Sequence, residues 1–344
     1  MCKTRLFPYD LVRVIALIMV ICVHSLPDSY WAWAVGQPLF YACNGIFFML
    51  SGHFNLHVRE EGTLGRYYLR KVATIMLPVL VYTGIIVVWE TKHLLPNYPQ
   101  AVLGRFAEDF IHANSLSHLW FVYTLFGILL AAPFFARMLQ AMNDGEKRWF
   151  VGLGMGYFAC LFLLSFTRYD LGWDYPFGFA CFMFLVEPIC HPYLQRCPTR
   201  ALLAGVVVPL GVLAYLCTYG YGSYLFDMNP LYVTEVFCLY ELFLRLGGLV
   251  GSDKLITLMA KHQYGMYIMH MFCLLRVKAY VVPRIPEGLP WQLSWLLVIA
   301  STLLLALVIA TTVDIVVIKP LQQLLYRVVE AIGRSRGKVA SASE

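Results

Sequence analysis

An arginine and a histidine share one face of the first apolar stretch, Tyr9 to His24. Arg13 and His24 are eleven residues apart. At about 100° per residue this is three turns plus roughly 20°, so both project the same way from one helix. At about 1.5 Å per residue they stand roughly 16 Å apart, half the hydrocarbon thickness. A central arginine costs about 2.5–3.5 kcal/mol on insertion scales, and polar groups that costly usually line a site. The cation suits an anionic group, and the imidazole suits proton transfer. Two readings stay open: the pair lines a site, or Arg13 snorkels to the inner headgroups while His24 bonds a neighbouring helix.

Other residues extend this pattern. Asp28 follows His24 by one turn, beyond Pro27, and either orients the imidazole or ends the helix. His118 opens a later apolar stretch in Ser117-His118-Leu119-Trp120-Phe121, as a site residue or as part of an interfacial aromatic belt. His270 sits within Tyr264–His270, where an interhelical hydrogen bond competes with catalysis. Arg66, Arg70 and Lys71 form a basic cluster that either holds an anion or marks the inner membrane face. Glu187, Glu235, Glu241, Arg245, Arg276, Lys278 and Asp314 are further charges in apolar stretches. Glu241 precedes Arg245 by four residues, the favourable order for a helical ion pair, with a proton or substrate pathway as the alternative. No soluble-enzyme motif of the HExxH, GxSxG or Walker type is present, and no spacing suggests a metal site. Most of the ten cysteines lie inside apolar stretches and suggest no disulfide framework.

The elements that must position these residues are membrane helices. The chain has 344 residues, 60% hydrophobic and only 13% charged, with mean hydropathy +0.67. Soluble domains carry about 25% charged residues, so an all-α, multi-spanning integral membrane protein is expected. Windows of about 20 apolar residues give about ten spans, near 11–27, 37–56, 72–91, 118–137, 149–167, 176–194, 201–219, 229–250, 262–283 and 292–318. Alternate connections are basic, so both termini are expected in the cytoplasm of a plasma or inner membrane protein. The inner set includes Lys3, Arg5, Arg59 and the tail; the outer loops hold only Lys92, Arg105, Arg168 and Arg284. Arg13 interrupts the first apolar core and no cleavage site follows, which argues against a secretory signal. The net charge of +6 is spread among short loops and does not point to nucleic acid. Residues 101–111 read as a short surface helix, and 334–344 as a polar cytoplasmic tail after a membrane domain at 1–333. Gly152/Gly156 and Gly247/Gly251 read as helix-packing pairs.

Taken in order, several segments resemble the acyltransferase-3 family of integral membrane O-acyltransferases. Arg13 and His24 match its Arg-x10-His element, and Phe47-Phe48-Met49-Leu50-Ser51-Gly52 its Ser-Gly segment. Arg70-Lys71 before Leu77-Pro78 resembles the basic start of its third helix. His118-Leu119-Trp120-Phe121-Val122-Tyr123, with Pro133 beyond, resembles its fourth-helix motif. Gly265-Met266-Tyr267-Ile268-Met269-His270 resembles its late Gly-x-Tyr-x-x-His element. The chain departs at Thr74, where members often carry an arginine, and at His53, where an aromatic is usual. It is most similar to stand-alone members that lack an appended soluble domain.

The resemblance implies acyl transfer from a cytoplasmic acyl-CoA, acetyl-CoA foremost, to a hydroxyl of a surface or lipid-linked glycan. Arg13, Arg66, Arg70 and Lys71 would bind the donor, and His24 would act as base with Asp28 and His118 beside it. Trp120 and His270 would meet the acceptor. Membrane lipid, donor and glycan are then the partners, with no metal and with the oligomeric state open. The rival reading is a transporter or glycan exporter using the same polar core as a passage.

Overall fold

The computed structural model describes residues 6–30, 32–57, 64–112, 117–167, 177–219 and 229–329. The expected tail at 334–344 lies outside the described residues, as do Lys3, Arg5, Arg59 and Arg168 of the orientation argument. Among the described residues every regular element is helical.

Among the described residues seven helical segments are long and apolar enough to cross a membrane. They are α1 (Phe7–Ser25), the continuous pair α4 (Leu64–Lys71) and α5 (Leu77–Thr91), α7 (Trp120–Ala141) and α8 (Asp144–Leu164), then α10 (Thr199–Thr218), α12 (Lys254–Tyr280) and α13 (Trp291–Val313). The other three expected spans are also helical, and each falls short for a physical reason. The second is broken into a π turn at Ala32–Gly36, α2 (Gln37–Tyr41) and α3 (Cys43–Asn55), with Pro38 in the first turn of α2. The sixth, α9 (Phe179–Leu194), has 16 residues, about 24 Å of rise. The eighth, α11 (Pro230–Val250), carries Glu235, Glu241 and Arg245. The expected surface helix is α6 (Pro99–His112), where Arg105 Nε donates to buried Asp109 at 2.8 Å.

Capping residues set several boundaries. Asn143 accepts from Glu146 N and the Glu146 side chain accepts from Asn143 N, a capping box that starts α8. Asn229 and Asp253 cap α11 and α12 in the same sense. Gly251 ends α11 at φ +78°, a left-handed position that favours glycine. Its expected role as a packing partner is therefore corrected to helix termination. Gly152 and Gly156 have no neighbour within 4 Å where a Cβ would sit, because α8 is largely uncovered.

α1 occupies the centre, packed against α3, α11, α12 and α13. Gly52 lets α3 press on α9: a Cβ there would lie 2.0 Å from the Phe184 carbonyl oxygen. Arg245 pairs with Glu241 at 2.8 Å and also donates to the carbonyls of Leu194, Gln195 and Cys197. It thus serves the orphan carbonyls where α9 ends, and the Glu241–Arg245 pair is a structural clamp. Helix ends meet in a consistent pattern. Trp295 donates to Ser25 Oγ at 3.0 Å at one end of α1, while Gly247 sits against Pro8 at the other.

Candidate active site

Three histidines from three helices converge at the C-terminal end of α1. The His24 and His270 ring centroids are 5.3 Å apart, and those of His118 and His270 are 4.7 Å apart. His24 is exposed at the rim, whereas His118 and His270 are buried. His118 Nε2 donates to the Ile268 carbonyl at 3.0 Å, and His270 Nδ1 donates to the Tyr267 carbonyl. A carbonyl oxygen only accepts, so those two nitrogens carry the protons and the opposite nitrogens keep lone pairs. His270 Nε2 is buried and has no hydrogen-bond partner among the described residues. Leaving such a group unmade costs about 1–3 kcal/mol, and it faces a cluster whose third imidazole is open to the outside.

Tyr267 links this cluster to a cavity below it. Its hydroxyl donates to the His118 carbonyl at 2.7 Å, and its ring lies 5.5 Å from that of His270. Phe47, Phe121 and Tyr267 form an aromatic wall, with centroids 5.7–6.1 Å apart. Beyond that wall lies a cavity of about 190 Å³. Polar side chains Ser51, Asn55, Lys71, Thr74 and Gln263 line it together with the aromatic residues. Lys71 Nζ donates to Asn55 Oδ1 and sits 5.2 Å from the Tyr67 ring centroid. A single cavity thus runs between a lysine at one end and the rings that contact the histidines at the other.

The basic residues separate into two groups. Arg13 donates to Asp10 at 2.7 Å and lies 4.5 Å over the Phe54 ring. Lys71 reaches Asn55, the next residue, so Arg13 and Lys71 meet on the last turn of α3. Arg66 and Arg70 are exposed on α4 and do not line the cavity. Thr74 does line it, with its hydroxyl donating to the Arg70 carbonyl at 2.7 Å.

Two residues singled out in the sequence stand apart from the histidines. Asp28 is exposed beyond the end of α1 and makes no bond to His24; it lines a different cavity, with Val23 and Trp33. Leu26 is already extended at ψ 134° and Pro27 follows, so the chain turns away before Asp28 can reach back. Trp120 is 40% exposed, its ring against Phe121.

Sequence patterns assigned no role to Asn55 or Gln263, and Tyr267 stood out only within the Gly-x-Tyr-x-x-His element. Tyr267 had a visible signal, since it precedes His270 by three residues on the same helix face. Asn55 stands one turn after Ser51, whose carbonyl accepts from its amide at 2.7 Å. Gln263 carries no comparable signal.

No curated protein and no solved structure matches the chain. A family model described as an acyltransferase domain matches residues 9–311 of the 344, from the start of α1 nearly to the end of α13. The match takes in all three histidines, the aromatic wall and the Lys71 cavity, and with it the chain belongs to the acyltransferase-3 family.

Proposed function

We propose that the protein is a multi-pass O-acyltransferase of the plasma or inner membrane. It moves an acyl group, acetyl foremost, from cytoplasmic acyl-CoA to a hydroxyl of a surface or lipid-linked glycan. The observation that carries this reading is the open His24–His270–His118 cluster, divided by the Phe47–Phe121–Tyr267 wall from a cavity that holds Lys71 at its far end. Ten spans with both termini cytoplasmic fit the way helix ends meet. Arg13, Lys71 and the ends of α3 and α11 then face the cytoplasm, while His24, His118 and the start of α13 face outward.

The residues fit such a donor. Lys71, Asn55, Thr74 and Gln263 offer a cation and polar donors to its polar arm, with Arg13 of α1 beside them over the Phe54 ring of α3. The apolar end at Phe47, Phe121 and Tyr267 suits a short acyl group and keeps bulk water from it. The donor supplies an activated thioester. His24 takes the proton of the acceptor hydroxyl as its oxygen bonds to the acyl carbon. The carbon–sulfur bond breaks, and His24 returns the proton to the departing thiolate. The His270 ring, 5.3 Å from that of His24, positions it by packing against it.

The test is CoA release from acetyl-CoA by purified protein in liposomes, with host glycan extract as acceptor, for wild type, His24→Ala and Arg13→Ala. Release that requires both residues is the expected result. Release that survives both substitutions overturns the assignment, and absence of both release and acyl-CoA binding favours transport.

A further inference from the structure

A second cavity opens just beyond the outer end of α1. It has a volume of about 470 Å³, inside the ~300–1,000 Å³ range of small-molecule sites. It begins at Val23, the residue before His24, and is walled by Asp28, Ser29, Tyr30, Trp33 and Gln37. The turn that shapes it is held in place. Ser29 Oγ accepts from Ala32 N at 3.3 Å, Trp33 N donates to the Ser29 carbonyl at 3.0 Å, and Tyr30 Oη donates to Thr218 at the end of α10.

The chemistry of this wall is specific. Tyr30 and Trp33 are 50% and 44% exposed, offering flat apolar faces with polar edges. Such faces suit the C–H face of a sugar ring. The Asp28 carboxylate has no hydrogen-bond or ion-pair partner among the described residues, and two acceptor oxygens suit neighbouring hydroxyls. The Gln37 amide both donates and accepts. Among the described residues Asp28 is the one charged residue in the wall, while Lys278 acts on His24 beyond it. An anionic ring stacked on Trp33 would meet the Asp28 charge directly, with Lys278 placed on the His24 side.

From this geometry we infer that the cavity is the acceptor subsite and that it takes an uncharged sugar ring rather than an acidic one. The inference rests on the acyltransferase reading and gives Asp28 a binding role in place of orienting His24. A ring seated against Val23, stacked on Trp33 and bonded to Asp28, presents a hydroxyl toward His24.

The experiment measures binding rather than turnover, so that it stands apart from the transferase test. Purified His24→Ala protein in nanodiscs is titrated with neutral methyl glycosides (glucoside, galactoside, mannoside and N-acetylglucosaminide), with methyl glucuronide and with glucose 6-phosphate. Trp33→Ala and Asp28→Asn are added on the same background, with melting temperatures as the check on folding. The expected result is a neutral glycoside bound at least tenfold more tightly than the acidic sugars, weakened tenfold or more by either added substitution in folded protein. Equal or tighter binding of the acidic sugars, no binding of any glycoside, or binding indifferent to Trp33 and Asp28 overturns the subsite. Sugar binding without acyl-CoA turnover would remove the transferase reading alone. His24-dependent turnover without sugar binding here would remove the subsite alone.

Discussion

Two histidine clusters sit at opposite ends of α1, and their difference lies in the buried carboxylate that one has and the exposed ring that the other keeps. At the Arg13 end, Glu187 is 1% exposed and accepts from His53 Nδ1 at 3.0 Å and from the Tyr240 hydroxyl at 3.1 Å. His191 Nδ1 lies 3.1 Å from the same oxygen, and Tyr9 stacks on His53 at 4.3 Å. One carboxylate thus bonds His53 of α3 and Tyr240 of α11 and draws His191 of α9 within ion-pair distance, although His191 Nδ1 completes no hydrogen bond among the described residues. At the other end, His24, His118 and His270 have no carboxylate among them, one ring is open to the outside and one buried nitrogen is unfilled. A cluster gathered round a buried carboxylate fixes helices; one that has no carboxylate and keeps a ring exposed at its rim is arranged for something that arrives.

The comparison breaks most visibly at His24. His24→Ala is expected to lower acyl transfer about 10²–10⁴-fold, the range for a general base. It should leave the melting temperature nearly unchanged, because the ring is exposed; a turnover assay paired with thermal melting checks both. Glu187→Ala is expected to do the reverse. It strands His53 and Tyr240 and removes the charge beside His191, costs about 3–5 kcal/mol of stability, and leaves turnover per folded molecule within about twofold of wild type. Denaturation in detergent, with activity normalised to folded protein, reads that outcome.

Smaller effects sharpen the account. His270→Ala is expected to cut kcat about 10²-fold through loss of His24 positioning, with KM for the donor little changed. Lys71→Ala should raise the donor KM about tenfold, equivalent to about 1.4 kcal/mol, with kcat retained. Arg66→Ala, on the exposed face of α4, should move the same KM no more than about threefold. Steady-state kinetics on the three variants separates the cavity lysine from its exposed neighbour.

What could be read from the sequence follows from how membranes penalise polarity. His24, His118 and His270 each stand out as a costly group in an apolar run, so their candidacy needed no structure. The helices themselves were legible from apolar length, although breaks such as the one before α3 were not, since Pro38 sits where a helix can still begin. Distance in space was harder. No spacing brings residue 53 to residue 187, so the Glu187 cluster showed only as an isolated charge and an unusual histidine at position 53. Arg13 and Lys71 meet only because α3 ends between them, an outcome of helix packing rather than of local pattern. Asp28 looked like a partner of His24 because one helical turn separates them, but the chain leaves the helix at Leu26 and carries Asp28 to another cavity.

The most direct test of the central claim compares the two clusters in one experiment. Labelled acyl transfer from acetyl-CoA to glycan is measured in proteoliposomes for His24→Ala, His270→Ala and His53→Ala, each normalised to folded protein. The account predicts loss of about 10²-fold or more for the first two, with His53→Ala within about threefold of wild type. A collapse in His53→Ala with His24→Ala still active would contradict it and move the chemistry to the Glu187 end.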